Sequence, residues 1–249
     1  MLTTYISFFL ILFFACIISG LVGFGSNILA LPFLSLFLDV KTIVPVLILT
    51  VIFNGVPRLL QQYRSINLRI YFIMVPLALL GGLAGVQLAT MLHEGWMKLI
   101  LAILMLLIAV KGLVELKGIL KIRVKEKQSP VLLVFPFLAG VMQAAFACGG
   151  PLFNMYILLN LTQKEQIRAT QFAISTTTAI VVILQYLKAD VYQGTVLNYV
   201  YLLIPAVLFA YFVSEKIFKK IDGKQFLELV YIILILAGII TAWQAVHLL

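Results

Sequence analysis

Long runs without a single charge constrain this chain more than any other feature. No charged side chain occurs from Met1 to Leu38, from Ile70 to Leu92, from Pro130 to Gln163, from Ala169 to Leu187, or from Val191 to Val213. A helix needs about 20 apolar residues to cross a hydrocarbon core about 30 Å thick, so each run can span one. Apolar and polar residues do not alternate within them, which argues against a membrane β-barrel. With 63% hydrophobic and 11% charged residues, a soluble globule could not cover its surface with polar groups. The chain is expected to be an all-α integral membrane protein.

Nothing basic precedes Lys41, so the N-terminal run lacks the basic region of a cleaved signal peptide and is read as part of the mature fold. Cys16 and Cys148 form no CxxC pair, and neither a metal set nor a cofactor is expected. The net charge of +9 fits basic cytoplasmic loops better than a nucleic-acid partner. The expected partners are a small anion, the lipid bilayer and, at most, a second copy in a homodimer.

Residues 117–130 form the one long polar segment and read as a basic cytoplasmic linker. It separates a first transmembrane repeat, 1–116, from a second, 131–249. Each half opens with an uncharged run too long for one crossing, and each run is broken by a glycine cluster: Gly23-Phe24-Gly25-Ser26-Asn27 and Cys148-Gly149-Gly150-Pro151. An offset of 124 positions, 147 less 23, sets Gly25 on Gly149 and Leu60-Gln61 on Leu184-Gln185. The helices expected in the first half are Tyr5–Val22, Asn27–Leu38, Thr42–Tyr63, Ile70–Leu92 and Trp96–Leu116. The second half gives Val131–Ala147, Pro151–Leu161, Ile167–Leu187, Val196–Val213 and Phe226–Val246. Asn27–Leu38 would rise only about 18 Å, so it and Pro151–Leu161 are read as half-helices of re-entrant hairpins.

The basic residues test this layout. If each opening run crosses once, the 18 Lys and Arg divide 10 to 8 between the two faces; if each turns back at its glycines, they divide 15 to 3. Cytoplasmic loops collect positive charge, so the hairpin arrangement is preferred. It makes the halves inverted repeats, each a broken helix or re-entrant hairpin followed by three transmembrane helices. Both termini then lie on the non-cytoplasmic side of the cell inner membrane.

Broken helices in inverted repeats put half-helix ends near the bilayer midplane, where transporters bind substrate. Gly23 and Gly25, like Gly149 and Gly150, suit a tight turn with positive φ. Ser26 and Asn27 are good N-caps, and Pro151 suits the first helical position. Each cluster precedes a helix N-terminus, whose N–H groups and positive dipole end attract anions. Two such ends facing one cavity would bind an anion without a charged side chain. The same glycines also suit close helix packing, but their recurrence in both halves favours a site. Asn54, which the offset sets on Thr178, and Thr177, Gln143, Asn154 and Gln171 could line it, although such residues more often bond backbone or a neighbouring helix. Cys148 sits at a hairpin tip, where a small packing residue is the preferred reading and a reactive thiol the alternative. Arg58 is read first as a side chain snorkelling to the interface and second as a gate.

No Asp or Glu lies mid-membrane and no P-loop occurs, so a proton relay or ATP hydrolysis is not expected. The glycine clusters give the chain a likeness to a known family. Gly20-Leu21-Val22-Gly23-Phe24-Gly25-Ser26-Asn27 followed by Pro32, then Cys148-Gly149-Gly150-Pro151, and Gly81-Gly82-Leu83-Ala84-Gly85 ahead of Trp96, resemble the sulfite exporter TauE/SafE family over nearly the whole chain. The family's Gly-x-Gly-Gly-Gly core is altered here, with Ser26 and Asn27 in the first copy and Ala147-Cys148 opening the second. The resemblance implies a permease for sulfite, an organosulfonate or a related sulfur oxyanion. The alternatives are an intramembrane enzyme or biogenesis factor of sulfur or redox metabolism, for which Cys148 is the one available nucleophile, and a non-transporting membrane subunit.

Overall fold

A computed structural model describes residues 2–22, 26–116, 130–217 and 223–249. Among them the chain forms α1 (Leu2–Val22), α2 (Ser26–Leu34), α3 (Val40–Gln62), α4 (Leu68–Met91) and α5 (Glu94–Leu116), then α6 (Val134–Phe146), α7 (Gly150–Asn160), α8 (Lys164–Lys188), α9 (Thr195–Ile217) and α10 (Gly223–Leu248). No strand occurs among the described residues. Six of the helices (α3, α4, α5, α8, α9 and α10) are long and apolar enough to cross a membrane. α2 and α7 have 9 and 11 residues and rise about 13 and 16 Å, too little to cross. The linker expected at 117–130 lies, but for Pro130, outside the described residues, as do Gly23 and Gly25.

Two expected helices are shorter than their apolar patterns. α2 stops at Leu34 instead of Leu38, where tighter bonds take over, Leu36 N to Phe33 O at 3.4 Å and Phe37 N to Leu34 O at 3.3 Å. Side chains claim the carbonyls there: Ser35 Oγ donates to Pro32 O at 2.7 Å and Lys98 Nζ to Ser35 O at 3.0 Å. The helix expected from Val131 starts as a 3-10 turn over Pro130–Leu133. The α-helix proper begins at Val134, which puts Pro136 in the first turn, where its missing N–H costs nothing.

The helices pair off across the chain: α4 packs on α6, α1 on α9, α3 on α8 and α5 on α10. Exchanging the halves maps these pairs onto one another, because α4–α6 becomes α9–α1 and the other two map onto themselves. The α4–α6 seam is the closest. A Cβ at Gly140 would strike the Ala78 carbonyl, one at Gly81 the Phe137 carbonyl, and one at Gly85 would sit 2.5 Å from Val141 O. Only residues without side chains allow backbones this near.

Contacts also sort the loops between the two ends of the bundle. At one end Tyr192 Oη donates to Pro45 O at 3.0 Å, Lys41 Nζ to Thr90 O at 3.4 Å, and Asn198 Nδ2 to Tyr5 Oη at 3.4 Å. The C-terminal Leu249 packs there against Gly95. At the other end Asn67 N donates to Thr170 Oγ1 at 2.9 Å and Gln61 Nε2 to Tyr211 Oη at 3.0 Å.

Candidate functional site

The second hairpin turns at a residue other than glycine. α6 closes on Ala147, which takes the left-handed conformation with φ 54°. Gly149 has φ −70° and ψ −20°, open to any residue, so the turn expected from Gly149 and Gly150 falls two residues earlier. What Gly149 supplies is room. A Cβ there would lie 2.5 Å from Ala139 O and 2.8 Å from Gln143 Oε1. Its N–H donates to that same Gln143 oxygen at 3.1 Å. No side chain caps α7, and Pro151 occupies its first turn.

Asn27 joins this tip to the first one. It lies inside α2 instead of capping it, and its Nδ2 donates both to Leu47 O at 2.9 Å and to Ala147 O at 3.1 Å. Its Oδ1 accepts from Thr50 Oγ1 at 2.6 Å and from Ser26 Oγ at 3.3 Å. The carboxamide is thus spent on holding α2, α3 and the second hairpin together, which leaves it no N–H for a ligand.

Between the tips lies a cavity of about 70 Å³; a single water needs about 10–15 Å³ by the same measure, so several waters or one small oxyanion fit. Of the residues expected from the sequence, Ser26, Asn27, Asn54, Gln143, Cys148, Gly150, Pro151 and Gln171 line it, and so does Arg58. Arg58 does not snorkel. It is 6% exposed, its Nη1 donates to Asn54 O at 3.1 Å, and its guanidinium lies over the rings of Phe172 and Tyr211. It runs sideways from α3 between α8 and α9, so the cavity has a cationic wall where an uncharged one was expected. None of the described lining residues is acidic.

The other expected residues lie off the cavity. Thr177 Oγ1 meets Tyr71 Oη of α4 at 2.9 Å. Thr178 is fully buried and donates to Ile174 O at 2.8 Å. Asn154 does not border the cavity either, and its buried Oδ1 has no hydrogen-bond partner among the described residues. Gly149 stands behind the wall. Gly23 and Gly25 fall outside the described residues.

Thr50, Phe172 and Ser175 also line the cavity and went unread in the sequence. Thr50 precedes Asn54 and Arg58 by one and two turns, and Ser175 follows Gln171 by one. A search for polar residues at four-residue spacing around Asn54 and Gln171 could have found Thr50 and Ser175. Phe172 gave no such signal. Cys16 and Cys148 are both free thiols, Cys16 accepting from Asn54 Nδ2 at 3.7 Å. Among the described residues no three of His, Cys, Asp and Glu cluster as a metal site would need.

No curated protein and no solved structure matches the chain. Residues 8–241 match the family model described as "Sulfite exporter TauE/SafE". A match over nearly the full length, on a fold of six membrane-length helices, identifies the chain as a member of the sulfite exporter TauE/SafE family.

Proposed function

We propose that this multi-pass membrane transporter carries sulfite, an organosulfonate or a related sulfur oxyanion across the cell inner membrane, binding it between the two hairpin tips near the bilayer midplane. The meeting of the tips carries the reading: Asn27 of the first donates to the Ala147 carbonyl of the second at 3.1 Å, beside a cavity that both border. The chemistry of the wall suits an anion. The N-terminus of α7 offers backbone N–H groups and the positive end of its dipole, Arg58 brings a guanidinium, and Gln171 brings a carboxamide. These donors replace the water that an oxyanion sheds on entry, while a wall with one cation among its described residues holds it loosely enough to release it.

Within this reading Arg58, Gln171, Gly150 and Pro151 touch the anion, Asn27 and Gly149 position the tips, and Ser26, Asn54 and Cys148 complete the wall. Gly23 and Gly25 have the corresponding duty in the first half. We assign the chain no catalytic step. We further propose that the halves are inverted repeats joined by a cytoplasmic linker, with both termini outside the cytoplasm. In support, the end of the bundle that holds Tyr5 and Leu249 carries Lys41 and Lys98, whereas Arg64 and Arg69 lie at the other.

The test is transport by purified protein in liposomes. Sulfite and ethanesulfonate should move down their gradients and raise the melting temperature of the detergent-solubilised protein, since a ligand that prefers the folded state stabilises it. Gly25→Val and Gly149→Val should insert normally and lose the flux. Absence of both flux and thermal shift across sulfite, thiosulfate and short sulfonates would overturn the reading.

A further inference from the structure

Tyr211 and Gln61 do not line the cavity, yet they hold the residue that closes one side of it. The guanidinium carbon of Arg58 lies 5.4 Å from the Phe172 ring centroid and 5.8 Å from that of Tyr211, both within cation–π range. One turn beyond Arg58 on α3, Gln61 Nε2 donates to the Tyr211 hydroxyl at 3.0 Å. From the cavity outward, toward the end of the bundle that holds Asn67, the order is Phe172 and Arg58 in the wall, then Tyr211 and Gln61 beyond it.

Burial changes along this sequence. Arg58 is buried, Tyr211 half-buried and Gln61 exposed. A hydrogen bond with one exposed partner exchanges readily for bonds to water, so the Gln61–Tyr211 pair can open readily. Once it breaks, the Tyr211 ring can swing off the guanidinium. That uncovers the cavity and presents a cation to an arriving anion.

We propose that Tyr211, latched by Gln61, is the gate of the anion path at this end of the bundle, and that it positions Arg58 over the cavity when shut. The inference rests on reading the cavity as the anion site. It adds two residues, one each from α3 and α9, that the sequence analysis does not place at the site.

Cys148 supplies the reporter, since it borders the cavity and is only 3% exposed. Its labelling by a membrane-impermeant methanethiosulfonate measures how often the cavity opens. The rate is read at Cys148 by peptide mass spectrometry, with reagent applied to either face of oriented vesicles. Gln61→Leu and Tyr211→Phe each remove the latch, and Gln61 is exposed, so folding is not at stake there. Each should speed labelling from the Asn67 face about 2- to 12-fold, the range to which one hydrogen bond's net contribution converts at 1.4 kcal/mol per tenfold. Labelling from the opposite face should not change. Unaltered rates in both variants would overturn the gate, and so would equal acceleration from both faces, which marks general loosening. Ethanesulfonate, which unlike sulfite does not consume the thiosulfonate reagent, should slow labelling of the unsubstituted chain. If it does not, the anion-site reading fails, whatever the latch variants do.

Discussion

An added methyl group at Gly149 would press on a backbone carbonyl as well as on the Gln143 side chain, which makes Gly149→Ala a demanding test of the site. The new Cβ would sit 2.5 Å from Ala139 O, 2.8 Å from Gln143 Cβ and 2.8 Å from Gln143 Oε1. Relief requires α6 to retreat from α7 by several tenths of an ångström. The conformation at Gly149 suits alanine, so the whole effect comes from crowding. Overpacking of this kind costs about 1–3 kcal/mol, and displacing Gln143 from the Gly149 N–H adds about 1 kcal/mol. The same retreat moves the N-terminus of α7 relative to Arg58, so anion affinity should fall at least about tenfold, as small displacements of positioned donors commonly cost. Thermal unfolding without ligand reads the first effect, and the ligand-induced shift with ethanesulfonate reads the second. Gly82→Ala is the control, because its Cβ would find Val182 Cγ2 at an ordinary 3.4 Å. If Gly149→Ala matched the control in melting temperature and affinity, the argument that this glycine exists to seat the α7 terminus would be wrong.

Ala147→Gly should stabilise the protein by about 1 kcal/mol, since glycine adopts the left-handed conformation without the Cβ penalty; an unchanged or lowered melting temperature would count against the turn at Ala147. Asn27→Ala removes the link to Leu47 O and Ala147 O and costs the buried Ala147 carbonyl its Asn27 donor, while Leu47 O keeps the Thr50 hydroxyl. A loss of about 2–4 kcal/mol is expected in thermal or denaturant unfolding, with flux reduced even where the protein folds. Gly140→Val should disrupt the α4–α6 seam more severely than any surface substitution, seen as loss of monodisperse protein on size-exclusion chromatography. Arg58→Met should weaken ethanesulfonate binding about 10-fold or more, as expected on removing a charge-assisted donor, and titration of the purified variant measures it.

The membrane-spanning elements were legible because lipid cannot hydrogen-bond a backbone, so length without charge is itself the signal. The breaks in the two opening runs were legible for a related reason. The glycine clusters divide runs too long for one crossing, and α2 and α7 have the short lengths this implies. The side on which a polar residue faces was far less legible. Asn54 lines the cavity while Thr178, its partner at the 124 offset, turns to the Ile174 carbonyl. The two helices present different turns to the same space: α3 offers Thr50, Asn54 and Arg58, and α8 offers Gln171 and Ser175. In a lipid-soluble helix both faces are apolar, so hydrophobic periodicity does not record which one looks inward.

The sequence by itself determined the class, the number of long spans and the family likeness, since each is carried by the order of residues along the chain. Tertiary structure decided that Asn27 clamps one half to the other, that Ala147 makes the turn credited to its glycines, and that Arg58 is buried over the cavity instead of reaching the interface. Each of these depends on where a second helix happens to lie, and the distance between two segments remote in the chain is set by packing that no local pattern encodes.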